Sequence, residues 1–170
     1  MPSSARTWYL VRHAIAEARG EDWPDDTQRP LTRKGVSRMR QVSDGLRELG
    51  VELDLVLTSP LVRAQQTAEV LVSRMKPAPD LAFAAALALE GGPPAVLDAV
   101  SGYPKARSIA LVGHEPSLGI LAAWLVGARE PFVFKRAAVC RIDFEENPRG
   151  GQGQLIWMAT PAMLRAVGNQ

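Results

Sequence analysis

The sequence of 170 residues contains one cysteine and two histidines, and this scarcity excludes two common ways of stabilising a small protein. A single thiol, Cys140, cannot form an intramolecular disulfide, so the fold does not require an oxidising compartment. Cys140 lies in an alternating apolar stretch, and we interpret it as a small buried side chain. One cysteine and two histidines are also too few for the usual ligand set of a structural zinc site.

Long apolar runs and long runs of like charge are absent as well. No apolar run reaches the roughly 18 residues that a membrane-spanning helix needs, and no signal-peptide core precedes Trp8. The 20 basic residues nearly balance the 18 acidic ones and are scattered along the chain, which argues against a nucleic-acid footprint. We therefore expect one cytoplasmic domain spanning residues 1–170, with neither nucleic acid nor a membrane among its partners.

What is present is an alternation of strand and helix patterns through residue 127. Apolar runs predict three buried strands, over 8–11, 53–58 and 108–112. Caps and helical spacing predict helices over 32–49, from Ser59-Pro60 to 75, over 95–100 and over 116–127. Residues 80–93 stay unassigned. This alternation implies right-handed crossovers and a largely parallel sheet covered on both faces.

The pattern changes after residue 127 to short alternating segments typical of strands. These predicted strands cover 132–134, 138–144 and 155–158, and a polar turn over 145–153 joins the last two. Because they are close in sequence, we expect an antiparallel hairpin, followed by a short helix over 161–167. The predicted fold class is α/β, a three-layer α/β/α arrangement with a mostly parallel central sheet and an antiparallel C-terminal hairpin.

The two histidines take equivalent positions in this predicted sheet. His13 directly follows the first strand and His114 the third, while Arg12 precedes His13 and Arg63 follows the second strand. In open α/β sheets, ligands bind at the carboxyl ends of the strands. We therefore expect these four side chains to form one compact cationic pocket.

Such a pocket suits a phosphoryl group. Arginine forks match phosphate oxygens bidentately, and helix starts after Ser59 and His114 add backbone N–H donors. Neither a P-loop nor a Rossmann glycine motif is present. Neutral imidazole can accept a phosphoryl group on nitrogen near neutral pH. One histidine can then attack in line while the two arginines and the other histidine hold the oxygens, and we expect no metal or other cofactor.

Three motifs, in the same order along the chain, resemble those of the histidine phosphatase superfamily, which includes the phosphoglycerate mutases. Residues 10–14 (LVRHA) resemble its R-H-G signature, residues 58–68 (TSPLVRAQQTA) its S-P-x-x-R-A-x-x-T-A segment, and residues 112–116 (VGHEP) the segment with its second histidine. Residues 29–35 (RPLTRKG) and 157–161 (WMATP) resemble its small SixA-type phosphohistidine phosphatases. The resemblance spans nearly the whole chain and implies a phosphoglycerate mutase-like fold.

The resemblance also implies a role for each site residue. His13 corresponds to the nucleophile, while Arg12, Arg63 and His114 bind the phosphate, with Glu115 as a further substrate-binding residue. The implied substrate is a phosphohistidine on a phosphotransfer domain or a phosphocarrier protein, and the product is inorganic phosphate.

Two departures from the family pattern bear on this hypothesis. Ala14 replaces the usual glycine after the nucleophile, which is tolerable where φ is negative. Many members supply a carboxylic acid from the loop after the second helix, where Glu90 is the one carboxylate available here. An alkoxide leaving group needs that proton donor, whereas a phosphorylated imidazole leaves as neutral imidazole once its ring is protonated.

Three functions consequently stay open at the level of the sequence. The first is a metal-independent phosphohistidine phosphatase that works through a phospho-His13 intermediate. The second is a phosphatase of small phosphoesters or phosphoanhydrides, with Glu90 as general acid. The third is a phosphoprotein-binding module without turnover, against which the intact His13 argues. The short connections 15–30 and 81–94 leave little material for a lid, which favours a protein substrate.

Overall fold

The computed structural model describes residues 5–170, which form one six-stranded sheet flanked by five helices. The strands are β1 (Arg6–Arg12), β2 (Leu55–Thr58), β3 (Asp80–Phe83), β4 (Ser108–Gly113), β5 (Val139–Phe144) and β6 (Gln154–Ala159). The helices are α1 (Arg33–Glu48), α2 (Val62–Arg74), α3 (Pro93–Ser101), α4 (Ser117–Val126) and α5 (Pro161–Gly168). Along the sheet the strand order is β3-β2-β4-β1-β5-β6.

The strand pairing confirms the predicted sheet type. β1 pairs in parallel with β4, and β2 pairs in parallel with both β3 and β4. β5 runs antiparallel to β1 and to β6, which makes the predicted C-terminal hairpin. Alternate residues of a strand point to opposite faces of its sheet. Tyr9 and Val11 therefore join the core under α1, α2 and α5, whereas Trp8 and Leu10 join the core under α3 and α4. The three-layer arrangement is confirmed.

Both predicted ends of α1 are confirmed. The Thr32 hydroxyl accepts a hydrogen bond from the backbone N–H of Gly35 at 2.9 Å, as an N-cap does. After the last turn, Gly50 has φ +76°, a left-handed conformation that glycine adopts without the steric cost of a Cβ. Sequence signals at helix ends were reliable here because both caps are local interactions.

The predicted start of α2 is wrong by two residues. The helix begins at Val62, not directly after Ser59. The Ser59 hydroxyl still accepts a hydrogen bond from the backbone N–H of Leu61 at 3.2 Å, but it also lies 2.8 Å from a ring nitrogen of His114. Ser59 therefore belongs to the sheet edge, and a short turn separates it from the helix.

Two further segments differ from the prediction. The unassigned stretch contains β3, a four-residue edge strand whose Leu81 and Phe83 are exposed, so it has no buried apolar run. The predicted strand over 132–134 is wrong. Its backbone pairs outside the sheet: the Phe132 N–H donates to the carbonyl oxygen of Gly119 in α4 at 3.1 Å.

The sheet interior contains the single thiol. Cys140 is fully buried in β5, as its apolar surroundings predict, and burial raises its pKa to about 12. The helices of residues 5–170 include none that is both long and apolar enough to cross a membrane.

Candidate active site

The two histidines lie side by side because β1 and β4 are adjacent and in register. Arg12 pairs with Gly113 across the two strands, so His13 and His114 follow at the same level of the sheet edge. The backbone N–H of His13 donates to the Gly113 carbonyl oxygen at 3.0 Å, and the two ring centroids are 5.3 Å apart. Both residues are buried, with 7% and 1% of their surface exposed.

Arg12 and Arg63 complete the cationic cleft that the sequence predicts. β2 pairs with β4, and α2 follows β2, so the first turn of α2 brings Arg63 to the edge where His114 lies. The resulting cleft has a volume of about 350 Å³, and both histidines and both arginines line it. The Arg63 side chain is almost fully buried, which is costly for a cation unless anionic or polar partners surround it.

Glu115 and Glu90, the two glutamates that the sequence suggests as site residues, lie in different places. Glu115 lines the cleft, and its Oε1 accepts a hydrogen bond from the backbone N–H of Gly119 at 2.9 Å. Glu90 is exposed and is not part of the lining, to which its neighbour Leu89 contributes. The structure therefore brings Glu115 together with the two histidines and the two arginines, and Glu90 stands apart from them.

One hydrogen bond defines the protonation pattern of the His13 ring. Its Nδ1 lies 2.8 Å from the carbonyl oxygen of Ala14. A carbonyl oxygen can only accept, so Nδ1 carries the hydrogen and donates it. In the neutral ring, Nε2 then has a free lone pair. His13 is thus held in the tautomer in which Nε2 can act as a base or a nucleophile.

The backbone that holds His13 is itself fixed by Thr67. The Thr67 hydroxyl accepts a hydrogen bond from the Ala14 N–H at 3.0 Å and donates one to the Arg63 carbonyl oxygen at 2.7 Å. Thr67 is fully buried. One side chain of α2 therefore links the residue after His13 to the backbone of Arg63. Thr67 belongs to the quoted segment 58–68, but a threonine on a helix gave no separate signal of this role.

Ser59 holds the second histidine. Its hydroxyl accepts from Leu61 N–H and lies 2.8 Å from His114 Nε2. Of these two partners, only Nε2 can accept the hydroxyl hydrogen, so we assign Ser59 as the donor to Nε2. In neutral His114 the ring hydrogen is then on Nδ1. The sequence offered Ser59 only as a helix cap, so this function of its hydroxyl was missed.

Arg12 is oriented by the backbone of the irregular segment 132–137. Its guanidinium donates to the Phe134 carbonyl oxygen at 2.7 Å. The N–H of Ala137 donates to the carbonyl oxygens of Arg12 and His13, at 3.1 and 3.2 Å. Ala137 has φ +64°, a left-handed conformation that costs energy for a residue with a Cβ and that clusters at functional sites. These backbone contacts had no sequence signal.

Arg63 is oriented by Asp26, which the sequence analysis did not single out. Its guanidinium donates to the Asp26 carbonyl oxygen at 2.9 Å and lies 3.2 Å from the Asp26 carboxylate. The same carboxylate accepts from Arg29 at 2.8 Å. This hydrogen bond is the main cause that lowers the Asp26 pKa, and the charge of Arg63 adds to it. Asp26 therefore stays ionised and neutralises part of the positive charge beside the cleft.

Three buried donors of the cleft residues have no hydrogen-bond partner within residues 5–170: Arg12 Nε, Arg63 Nε and His114 Nδ1. Buried polar atoms are nearly always paired, so the three atoms mark the side chains that are prepared for a ligand with several acceptor oxygens. A tetrahedral oxyanion such as phosphate has that property.

Burial keeps both imidazoles neutral. It is the main cause that lowers the pKa of His13 to about 3 and that of His114 to about 4. The charges of Arg12 and Arg63 act in the same direction on both rings. The cleft therefore combines permanent positive charge on two arginines with two uncharged imidazoles, which is the arrangement that an attacking nitrogen beside an oxyanion requires.

The sheet order and this histidine–arginine cleft define an α/β protein of the phosphoglycerate mutase-like fold class. A family model described as "Histidine phosphatase superfamily (branch 1)" matches residues 8–84. The chain belongs to the histidine phosphatase superfamily, as its motifs predict.

Similar proteins extend the likeness beyond the matched segment. Phosphohistidine phosphatase SixA of Escherichia coli is 29% identical over 163 residues, which cover 92% of this chain and 95% of that protein. An uncharacterised protein of Picosynechococcus is 40% identical over 114 residues, 65% of this chain and 67% of its own. The solved structure of protein histidine phosphatase SixA complexed with tungstate superposes with a TM-score of 0.81 at 25% identity, covering 92% of this chain and 97% of that one. The chain is thus a homologue of a hydrolase of this superfamily.

Proposed function

We propose that the protein is a metal-independent phosphohistidine phosphatase that works through a phospho-His13 intermediate. The observation that carries the proposal is the hydrogen bond from His13 Nδ1 to the Ala14 carbonyl oxygen. It leaves the Nε2 lone pair free in a ring that burial keeps neutral, beside side chains with three unpaired donors.

In the first step, His13 Nε2 attacks the phosphorus atom of the substrate phosphohistidine. The new bond joins Nε2 to phosphorus, and the bond between phosphorus and the substrate imidazole breaks. Its electron pair goes to the leaving imidazole, which departs neutral because its other ring nitrogen is protonated. Arg12, Arg63 and His114 hold the phosphoryl oxygens, where the negative charge of the loose transition state is spread.

In the second step, a water molecule attacks the phosphorus of phospho-His13. The bond from phosphorus to Nε2 breaks, its electron pair returns to Nε2, and inorganic phosphate leaves with the oxygen of water. The phosphate takes the oxygen and both hydrogens of that water. Over both steps, one P–N bond and one water are consumed, and dihydrogen phosphate and neutral substrate imidazole are formed; the imidazole keeps the ring hydrogen that it carried in the substrate. The His13 Nδ1–H bond to the Ala14 carbonyl persists and stabilises the ring while Nε2 carries the phosphoryl group.

The position of Glu90 favours this substrate over phosphoesters. An ester needs a proton donor for its alkoxide, and Glu90, the predicted donor, is exposed and outside the cleft lining. A P–N bond has no such requirement. Likeness to a relative named phosphohistidine phosphatase over 92% of the chain supports the same class. We therefore propose that the phosphohistidine belongs to a phosphotransfer domain or a phosphocarrier protein.

Rapid-quench mass spectrometry tests the proposal directly. We expect a phosphoryl group on His13 within the first turnover of a phosphohistidine-bearing protein, and we expect His13→Asn to abolish turnover. His114→Ala, which keeps the nucleophile, should slow turnover about a hundredfold through loss of one charge-stabilising donor. Turnover that survives His13→Asn would refute the mechanism, and tight binding with no turnover in the wild type would indicate a binding module.

Glu90→Gln separates the phosphohistidine and ester hypotheses. We expect its kcat/KM on phosphohistidine to match that of the wild type. If Glu90 acted as a general acid on esters, the variant would lose about a hundredfold on an aryl or alkyl phosphate. That loss, together with faster wild-type turnover of esters than of phosphohistidine, would favour the ester hypothesis.

A further inference from the structure

A second hollow adjoins the cleft on the side of Arg12. It has a volume of about 340 Å³. Arg12 and Arg136 line both the cleft and this hollow, so the two spaces are neighbours that share these side chains. We call it the Lys135 hollow. Its charged residues are Arg12, Arg38, Lys135 and Arg136, and its apolar floor consists of Ala14, Ile15, Ala137 and Pro161.

The charge of the Lys135 hollow is of one sign. No carboxylate lines it. Among residues 5–170, no ion pair joins Arg38, Lys135 or Arg136 to an acidic side chain. Elsewhere on the surface, arginines such as Arg74 and Arg141 are paired with aspartates at 2.8 Å. Within the described residues, the hollow therefore presents three cations, Arg38, Lys135 and Arg136, that form no ion pair, whereas the charge of Glu115, on the cleft side, acts on Arg12.

The charge of one cation of the hollow also affects the pKa of another. Burial is the main cause that lowers the Arg12 pKa, and the nearby charge of Arg136 is the next. Two like charges that share a hollow repel, and an anion placed between them relieves that repulsion. This electrostatic arrangement favours a negatively charged group beside the phosphoryl group, not only the phosphoryl group itself.

The segment that carries Lys135 and Arg136 is held at both ends. Before them, the Phe132 N–H is bonded to the Gly119 carbonyl oxygen, and after them the Ala137 N–H is bonded to the backbone of Arg12 and His13. The Ala138 N–H closes the turn on the Lys135 carbonyl oxygen at 2.9 Å. The backbone is thus preorganised, so an incoming partner does not have to order it, which reduces the cost of binding.

The chemistry of the hollow indicates carboxylates of a polypeptide. Its floor is apolar and suits the aliphatic stems of Glu or Asp. Of its cations, Lys135 and Arg136 are exposed, and Arg12 and Arg38 are half-buried. Next to it, Val133 is 82% exposed and adds an apolar contact for a protein surface. We propose that the Lys135 hollow binds acidic side chains that flank the phosphohistidine of a protein substrate. The proposal rests on the proposed function, because it names a further recognition element of the same site.

Two synthetic peptides test this proposal. Both carry one phosphohistidine, introduced with phosphoramidate; one has Asp and Glu on both sides of it, and the other has Ser and Gln. At low salt we expect wild-type kcat/KM to be about tenfold higher on the acidic peptide, from several exposed ion pairs together. The difference should shrink at about 0.3 M salt, where screening is stronger.

A charge reversal locates the effect. Lys135→Glu should lower kcat/KM on the acidic peptide about fivefold and leave the neutral peptide and free phosphoramidate unchanged. The matched control is Lys105→Glu, the same change of charge at an exposed lysine before β4, at the opposite end of the sheet. Equal rates on both peptides, or an equal loss from both variants, would overturn the proposal.

A binding measurement separates the two proposals. Fluorescence anisotropy with the unphosphorylated acidic peptide reports the hollow without any chemistry. If neither phosphopeptide is hydrolysed, the proposed function fails, but the anisotropy still tests the docking surface. Weaker peptide binding by Lys135→Glu than by Lys105→Glu would support the docking proposal. Equal Kd values for the two variants would contradict it.

Discussion

At the scale of single residues, the two imidazoles have the same tautomer for different purposes. His13 donates from Nδ1 to a carbonyl oxygen and keeps Nε2 bare. His114 accepts at Nε2 from Ser59 and keeps a hydrogen on an unpaired Nδ1. In the proposed mechanism, the His13 ring attacks and the His114 ring donates to an oxyanion. Hydrogen-bond partners, and not the residue type, assign the two roles.

The titration of the two rings gives the first prediction at this scale. The chain has two histidines, so imidazole nitrogen NMR of protein without a histidine tag shows both individually. Because the pKa values are lowered to about 3 and about 4, we expect both rings to stay neutral down to about pH 5 and to show the Nδ1–H signature. A His13 midpoint near the ordinary value for histidine would contradict this electrostatic description.

Ser59→Ala gives the second prediction. Without the hydroxyl, His114 loses the partner that keeps its hydrogen on Nδ1, and we expect kcat/KM to fall about tenfold, the usual scale of one buried hydrogen bond. The NMR signature of His114 should change while that of His13 does not. Ser59→Thr, which retains the hydroxyl, is the control and should retain the Nδ1–H form. A merely structural role for Ser59 would leave the tautomer of His114 unaltered.

At the scale of elements, the pairing register of β1 and β4 places His13 and His114 side by side in the cleft. A slip of one residue would separate the two histidines by about 3.3 Å along the strands and turn every β1 side chain to the other face. The sequence could predict this edge, because apolar runs define where the strands end. It could not predict Phe134 or Asp26, since the carbonyl oxygen of Phe134 lies in irregular backbone and that of Asp26 in a three-residue 3-10 helix, where side-chain pattern carries little information.

Gly119→Ala is the prediction at this scale. A Cβ on Gly119 would overlap the carbonyl oxygen of Phe132, so the segment that carries Phe134 would have to move away from α4. Since Phe134 holds the Arg12 guanidinium, we expect both lower stability, by about 1–3 kcal/mol for a packing change of this kind, and weaker binding of phosphate as a competitive inhibitor.

Gly92→Ala is the matched control for that variant. Gly92 has negative φ, and its added Cβ would make only ordinary contact with the Pro94 ring. We expect stability and phosphate inhibition close to those of the wild type. If Gly119→Ala behaves like Gly92→Ala in both measurements, the contact between α4 and the segment over 132–134 does not position Arg12.

At the scale of the whole molecule, most of the fold could be predicted from the alternation of strand and helix patterns in the sequence. Tyr9 and Val11 face one layer and Trp8 and Leu10 the other, as a strand buried on both sides requires. The edge strand β3 was not predicted. Its Leu81 and Phe83 are exposed, so the sequence of β3 lacks the apolar pattern that burial imposes on a strand. Prediction thus succeeded for β1, which packs against both helix layers, and failed for β3, whose side chains are exposed to solvent.

Stability against pH is the prediction at this scale. The unfolded chain has ordinary histidines, whereas the folded pKa values of His13 and His114 are lowered. Between those values the unfolded state binds more protons, so stability is lost as pH falls below about 6.5. We expect each histidine to cost about 2 kcal/mol between neutral pH and about pH 5.

Urea unfolding at the two pH values measures this loss, with the slope of the transition as a check on two-state behaviour. His13→Asn has no titrating ring at that position, so about half of the difference should disappear. An unfolding free energy that does not depend on pH in this interval would mean that the cleft accepts charged imidazoles.

The position of Cys140 makes the surface available for site-specific chemistry. Its thiol is fully buried and, because its pKa is about 12, it is protonated at neutral pH. The folded protein therefore has no thiolate at this position that could react with a thiol reagent. A cysteine placed at the exposed Val133 would be the reactive one. A fluorophore attached there, one residue before the Phe134 whose carbonyl oxygen holds Arg12, would report the proposed docking of an acidic partner, with no need to remove the native thiol first.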